Sequence, residues 1–213
     1  TNLLVKLLLA AGHAVLVGAQ RPLDAVPTVF ASSGGDGEVI NDICTTLAGE
    51  ERQVSPTRFH NSVHNAPSGY WGIATQSREP SVSLCGYEWS FVTGLLEAAA
   101  QVVAGKEEIL LITGDTPYPE PLGNVRRVSA PFGAAFLFTR ERTARSMAKL
   151  SLRLEPEDGN VTRMPDPALE QLRNGNPCAR SLPLLAALAA RSTCDVVLER
   201  EFQGAARISV AAA

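Results

Sequence analysis

The chain has 213 residues, 45% of them apolar, and a formal net charge of −3, which is enough to bury a core as one domain and excludes intrinsic disorder. Nucleic acid is excluded as the main partner, because phosphate binding needs concentrated positive charge and the Arg126-Arg127 pair is too small to supply it. Cys44, Cys85, Cys178 and Cys194 share no CxxC spacing, and no His/Cys set has zinc-like spacing. No metal is therefore expected, and the thiols read as buried groups in a reducing cytoplasm.

Leu3, Leu4, Leu7, Leu8 and Ala11 recur at helical spacing and predict an amphipathic helix over residues 2–17, stopped at Gly18. The run is too short for a membrane span and lacks the flanks of a signal peptide. Thr28 to Ser33 predicts a short strand, Gly34-Gly35-Asp36-Gly37 a tight turn, and residues from about Glu38 to Leu47 a helix. That glycine turn has neither a P-loop lysine nor a GxGxxG pattern, so no nucleotide is implied. Ser55 to Thr75 reads as a loop that becomes helical around Gly69, with Pro67 near the first turn.

Ser81 to Leu84 predicts a strand, and Trp89 to Val103 a helix buried on most faces and closed by Gly105. Glu108 to Thr113 is an apolar run of the kind covered on both sides, broken by Gly114 and the prolines after it. Gly133 to Thr139 is another buried strand. Residues 155–180, rich in Pro, Asn and Gly, read as a surface excursion; a helix over Pro183 to Arg191 and strands at Cys194–Glu199 and Ala206–Val210 follow. Alternating helices and apolar strands indicate a single layered α/β domain over residues 1–213, with a mostly parallel or mixed sheet.

Three places carry candidate chemistry. His60 and His64 are four apart and would share a face on a helix, although no third ligand accompanies them. Tyr70 and Trp71 beside them read as core aromatics. Asp115 ends an apolar strand, where α/β sites often lie, and would otherwise cap the Pro-rich turn. Most informative is the passage from Ser81 through Cys85-Gly86-Tyr87-Glu88 into the following helix, since a strand-to-helix elbow presents one side chain at the positive end of a helix.

The string Phe59-His60-Asn61-Ser62-Val63-His64-Asn65-Ala66-Pro67, followed by Phe91-Val92-Thr93-Gly94-Leu95-Leu96-Glu97-Ala98, resembles the N-terminal half of a β-ketoacyl synthase. More closely, it is similar to the short ketosynthase-like subunits of type II fatty acid and polyketide systems, including aryl polyene pathways. The resemblance implies a thiolase-like α/β fold, essentially one ketosynthase half with an abbreviated second part. It also implies that the nucleophilic cysteine belongs on the elbow and that two further polar residues, commonly histidines, come from the second half. No histidine follows His64.

Two registers are open at the elbow. Cys85 can end the strand as a nucleophile, activated by the helix N-terminus. Aligning the helix on Gly94 instead puts Glu88 where ketosynthases carry cysteine, and this register is favoured because it needs no insertion in the helix. A carboxylate cannot do a thiol's work in transacylation, so the resemblance then implies a non-catalytic subunit comparable to a chain length factor. Such a subunit forms a heterodimer with a complete ketosynthase and meets acyl carrier protein only through the complex. Ser81, Val82, Ser83 and Leu84 are expected at the subunit interface, and Phe59, His60, Asn61, His64, Asn65, Tyr87 and Phe91 around the partner's acyl tunnel. The enzyme alternative is an acyltransferase or condensing enzyme using Cys85 with His60 or His64 as base. A third reading is a purely structural subunit. No cofactor is implied.

Overall fold

A computed structural model describes residues 2–50, 52–156, 160–199 and 204–213. Helix α1 (Leu3–Ala19) is capped by Asn2, whose side chain accepts from the Val5 amide at 3.1 Å. It runs through Gly18 and ends at Gln20, whose positive φ of 56° and backbone N–H to Leu16 and Val17 carbonyls close the last turn. The expected stop at Gly18 is therefore two residues early, because the left-handed cap falls on Gln20.

The first sheet has the order β2-β1-β3-β4 and contains β1 (Thr28–Ala31), β2 (Ser81–Leu84), β3 (Glu108–Asp115) and β4 (Phe132–Thr139). Strand β1 is parallel to β2 and β3, while β4 is antiparallel to β3, so the sheet is mixed. Strand geometry sends alternate side chains to opposite faces. Phe30, Leu110 and Ile112 pack with Leu4, Leu8, Leu16 and Trp71, whereas Val29, Ala31, Ile109 and Leu111 pack with Phe91, Val92, Leu95 and Ala98 of α5 (Ser90–Val103). Both faces are covered, which is why β3 reads as one apolar run. Helix α5 lies close on the sheet: a Cβ at Gly94 would stand 2.7 Å from the Ala31 Cβ and 2.9 Å from Leu111 Cδ1.

Between β1 and β2, α2 (Gly37–Ala48) starts from the Asp36 cap. The next stretch holds two helices, α3 (Pro56–Asn61) and α4 (Ala66–Thr75), where a loop and one helix were expected. Pro56 at the first helical position starts the additional helix. A short helix α6 (Leu122–Val125) follows the Pro-rich break after β3.

A second, three-stranded antiparallel sheet has the order β5-β7-β6, formed by β5 (Ala148–Glu155), β6 (Cys194–Glu199) and β7 (Ala205–Ala212). Its inner face, with Val196, Leu198, Ala206, Ile208 and Val210, joins the same core as α5 and α8 (Leu182–Ala189). Strand β5 is not among the strands expected above, although Leu150, Leu152 and Leu154 alternate with Lys149, Ser151 and Arg153.

The 155–180 segment is not a surface excursion throughout, and residues 157–159 of it lie outside the described residues. Helix α7 (Pro167–Gly175) leads into a 3-10 turn, Pro177–Ser181, in which Arg173, Asn176, Cys178, Ala179 and Ser181 are buried. Asn176 explains the difference: its amide donates to the Asp115 and Ala130 carbonyls and its oxygen accepts from the Cys178 and Ala179 amides. Polar composition here marks a satisfied buried cap rather than solvent. The thiols also depart from expectation, since Cys44, Cys85 and Cys194 are exposed and only Cys178 is buried. Among the described residues no helix is long and apolar enough to cross a membrane.

Candidate functional site

Strand β2 is an edge of the first sheet, and its chain leaves through Cys85 and Gly86 into a 3-10 turn, Tyr87–Trp89, that runs straight into α5. Ser90 pins this elbow by accepting from the Gly86 amide at 3.1 Å and donating to the Tyr87 carbonyl at 2.8 Å. Tyr87 has a positive φ of 51°, an uncommon backbone state for a bulky residue that holds the elbow sharp. A Cβ at Gly86 would stand 2.2 Å from Thr93 Oγ1, so the first turn of α5 also needs that glycine.

Glu88 stands in the turn between strand and helix. Its Oε1 accepts from Arg126 Nη2 at 3.1 Å, and its Oε2 lies 3.6 Å from Arg180 Nη2. Arg126 also donates to the Tyr118 hydroxyl at 2.8 Å and stacks over Tyr87, 4.0 Å from the ring centroid. Burial disfavours charge on Arg126, but the neighbouring Tyr118 and Glu88 oxygens outweigh it and hold the guanidinium above its usual pKa. Burial likewise raises the Tyr118 phenol. Tyr118 is received by the Gly34–Gly37 turn, where a Cβ at Gly37 would meet its ring at 2.2 Å; that turn is a packing device.

The Cys85 thiol, expected with the other cysteines to be buried, is exposed and donates to the Ser33 carbonyl at 3.0 Å. Neither histidine is hydrogen-bonded to it. His64 Nε2 lies 3.1 Å from the Ser32 carbonyl, and His60 is exposed. The two do not share a helical face, because α3 ends at Asn61 and α4 begins at Ala66. Among the described residues, no group of three or more His, Cys, Asp and Glu could hold a metal.

Asp115 does not cap the Pro-rich turn. It is buried, and its Oδ1 accepts from Ser32 Oγ, Ser33 Oγ and the Ser33 amide at 2.8–2.9 Å, while Cys178 Sγ donates to Oδ2 at 2.9 Å. Desolvation raises its pKa. Asp115 thus fixes the Ser32-Ser33 segment, whose carbonyls face His64, Cys85 and Arg126.

Of the residues expected to form an interface or tunnel, Phe59, His60, Asn65 and Tyr87 are exposed. Asn61 accepts from the Tyr70 hydroxyl at 3.0 Å. Val82 and Leu84 pack partly on the core, and Ser81 and Ser83 bond Thr28 and Ser68. Phe91 is a correction: it is fully buried against Phe136, because it falls on the sheet-facing side of α5. Trp71 is a core aromatic and Tyr70 is half-buried. Arg126, Arg180 and Tyr118 were not singled out from the sequence. Arg126 was weighed only for nucleic acid, and Arg180 lay in the supposed excursion.

Comparison with curated protein sequences returns no match. The fold is similar to a structure described as the ketosynthase ApeO in complex with its chain length factor ApeC from Xenorhabdus doucetiae, with a TM-score of 0.74 and 22% identity over 97% of this chain and 76% of that one. It is also similar to the ishigamide ketosynthase/chain length factor, with a TM-score of 0.70 and 14% identity over 100% of this chain and 81% of that one. A more distant likeness is to 3-oxoacyl-(acyl carrier protein) synthase III, FabH, from Pseudomonas aeruginosa, with a TM-score of 0.55 and 14% identity over 98% of this chain and 83% of that one. These likenesses establish a thiolase-like fold. The sequence pattern of the β-ketoacyl synthase N-terminal domain matches residues 2–201, nearly the whole chain, and the chain belongs to the β-ketoacyl synthase family.

Proposed function

We propose that this chain is a non-catalytic ketosynthase-like subunit, a chain length factor, that pairs with a complete β-ketoacyl-ACP synthase and shapes its acyl tunnel. The observation that carries the reading is Glu88: a carboxylate held between Arg126 and Arg180 stands in the elbow turn, and aligning the helix on Gly94 makes it the counterpart of the family's nucleophile. Within these 213 residues no histidine follows His64. Two further features support the pairing. Among the described residues strand β2 is an edge of its sheet, a place where a strand of another chain can add. Phe59 and Tyr87 are 68% and 53% exposed, large apolar surfaces of the kind that partners bury. The structures with TM-scores of 0.74 and 0.70 are described as ketosynthase and chain length factor assemblies, which agrees with this reading.

On this reading the subunit works on carrier-bound acyl chains in type II fatty acid or polyketide biosynthesis of the aryl polyene kind. It acts in the cytoplasm, as a single domain, without a cofactor, and acyl carrier protein reaches it through the complex. The chain co-expressed with the ketosynthase encoded nearest to it is expected to elute as a stable one-to-one complex by light scattering after size exclusion. A monodisperse lone chain that ignores the ketosynthase would overturn the reading. In the reconstituted complex, Phe59→Ala is expected to shift the product chain-length distribution while leaving the melting temperature nearly unchanged, because Phe59 is exposed. An unchanged product profile for Phe59→Ala and Tyr87→Ala would favour a purely structural subunit.

One observation favours the Cys85 enzyme: its thiol is exposed at the end of β2. Stoichiometric acyl labelling of Cys85, abolished by Cys85→Ser, would establish it.

A further inference from the structure

Glu88 is held by two guanidinium groups, each of which has further contacts of its own. Arg126 is fixed by the Tyr118 hydroxyl at 2.8 Å, by the Ser33 carbonyl at 3.5 Å, and by the Tyr87 and Tyr118 rings at 4.0 and 5.5 Å. Arg180 stands 3.9 Å from Glu199 Oε2 and 5.9 Å from the Trp89 ring centroid. Their side chains are only 15% and 18% exposed, and Arg126 Nε is buried without a hydrogen-bond partner. Each arginine addresses a different oxygen of the one carboxylate. Two guanidinium groups on the two oxygens of one carboxylate can receive a planar anion, and Arg126 is held in place from outside by Tyr118 and Ser33.

The charges around Glu88 point the same way. The ion pairs run as one chain from Arg126 through Glu88, Arg180, Glu199 and the buried Arg173 to Glu170, which Arg163 also meets, so Glu88 is the carboxylate that Arg126 and Arg180 share. Removing Glu88 therefore leaves a positive surplus beside a space the size of a two-carbon acid.

We infer that Arg126 and Arg180 form a carboxylate-binding clamp at the elbow, and that Glu88 is its built-in ligand. The native clamp is filled, so a carboxylate-bearing acyl group is denied that position; the vacated clamp takes a small monocarboxylate. The inference deepens the proposed function by resting on the placement of Glu88 at the elbow, and it does not depend on the partner.

The test is thermal denaturation of Glu88→Ala, in the assembly in which the chain purifies, titrated with sodium acetate against sodium chloride at matched ionic strength. Glu88→Ala is expected to melt lower than the native protein. Acetate, and not chloride, should restore part of the loss along a saturable curve. The native protein and Glu88→Ala/Arg180→Ala should show no acetate-specific gain. A response to acetate no greater than to chloride, or an equal gain in the native protein, would overturn the clamp. If Glu88→Ala does not fold, Glu88→Gln serves: it fills the space without charge, and native stability in that variant would overturn the clamp just as firmly. Light scattering on the same samples separates the two proposals. A ketosynthase complex without acetate rescue removes the clamp alone, and acetate rescue in a chain that never pairs removes the subunit reading alone.

Discussion

Arg173→Met is expected to destabilise the chain by about 3 kcal/mol, at the low end of what breaking a buried ion pair costs by removal of one partner. The Arg173 side chain is 1% exposed. Its Nε and Nη2 donate to the two Glu170 oxygens at 2.9 and 3.0 Å, and its Nη1 reaches both Glu199 oxygens at 3.1 Å. Methionine fills the stem's volume but takes away the cation that Glu170 and Glu199 share, leaving them, 19% and 30% exposed, with only the exposed Arg163 at 3.0 Å and the more distant Arg180 at 3.9 Å. Their partial exposure keeps the cost near 3 rather than 5. The pH dependence identifies the cause. Arg173, first, with the Met164 amide and Arg163 after it, holds Glu170 down from 4.5 to about 2, so the stabilisation from this carboxylate is present above the unfolded value and is lost as pH falls through the folded one. Urea unfolding should therefore show a large gap between native protein and Arg173→Met at neutral pH that narrows progressively below pH of about 4. Adding Glu170→Gln and Glu199→Gln to Arg173→Met should recover much of the loss, since removing the whole charge set is less costly than orphaning part of it. Equal urea midpoints for native and Arg173→Met at pH 7 would show that the arginine does not hold the second sheet to α7.

The sheet around the elbow was legible because its signals are local. An unbroken apolar run at Ile109–Ile112 and a β-prone run at Thr28–Ala31 need no distant partner to read as buried strands, and Gly94 in a small-residue helix announces close packing. The family string from Phe59 to Pro67 added the thiolase-like connectivity that periodicity alone does not carry. Hidden were the contacts that only the folded chain creates. Glu88 was visible at the elbow, but its first arginine lies 38 residues on and its second at the end of a segment whose Pro, Asn and Gly content imitates a solvated loop. Asn176 shows why composition misled: a buried Asn with four hydrogen-bond partners looks, in sequence, the same as one in water. Phe91 failed for the opposite reason, since its place beside the elbow is correct and one step of helical rotation turns it into the core.

Asp115→Ala should cost about 2–3 kcal/mol, whereas Asp115→Asn should leave neutral-pH stability close to native, and the contrast separates the charge of this group from its geometry. Alanine leaves the Ser33 amide and the Ser32 and Ser33 hydroxyls without their shared acceptor in a buried site, and removes the Cys178 contact. Asparagine keeps an oxygen for the three donors and removes a carboxylate that burial penalises. Because desolvation raises the folded pKa above 3.8, the folded chain holds this proton more tightly than the unfolded one. The native protein's contribution from Asp115 is thus greatest below the unfolded value and declines as pH rises through the folded value. Asp115→Asn lacks that decline, so its stability relative to native protein should rise with pH across the same window. The consequence reaches the elbow, because the segment Asp115 fixes presents the Ser33 carbonyl to both Cys85 and Arg126. In Asp115→Ala that carbonyl loses its anchor and Cys178 loses the side chain it meets, whereas asparagine keeps the contact with its amide N–H directed at Sγ. Thiol titration of the folded protein should therefore find Cys178 slow to react in native protein and Asp115→Asn, and measurably faster in Asp115→Ala. Equal Cys178 reactivity in all three would mean that the loop keeps its place without the carboxylate, leaving Glu88 and its two arginines to hold the elbow.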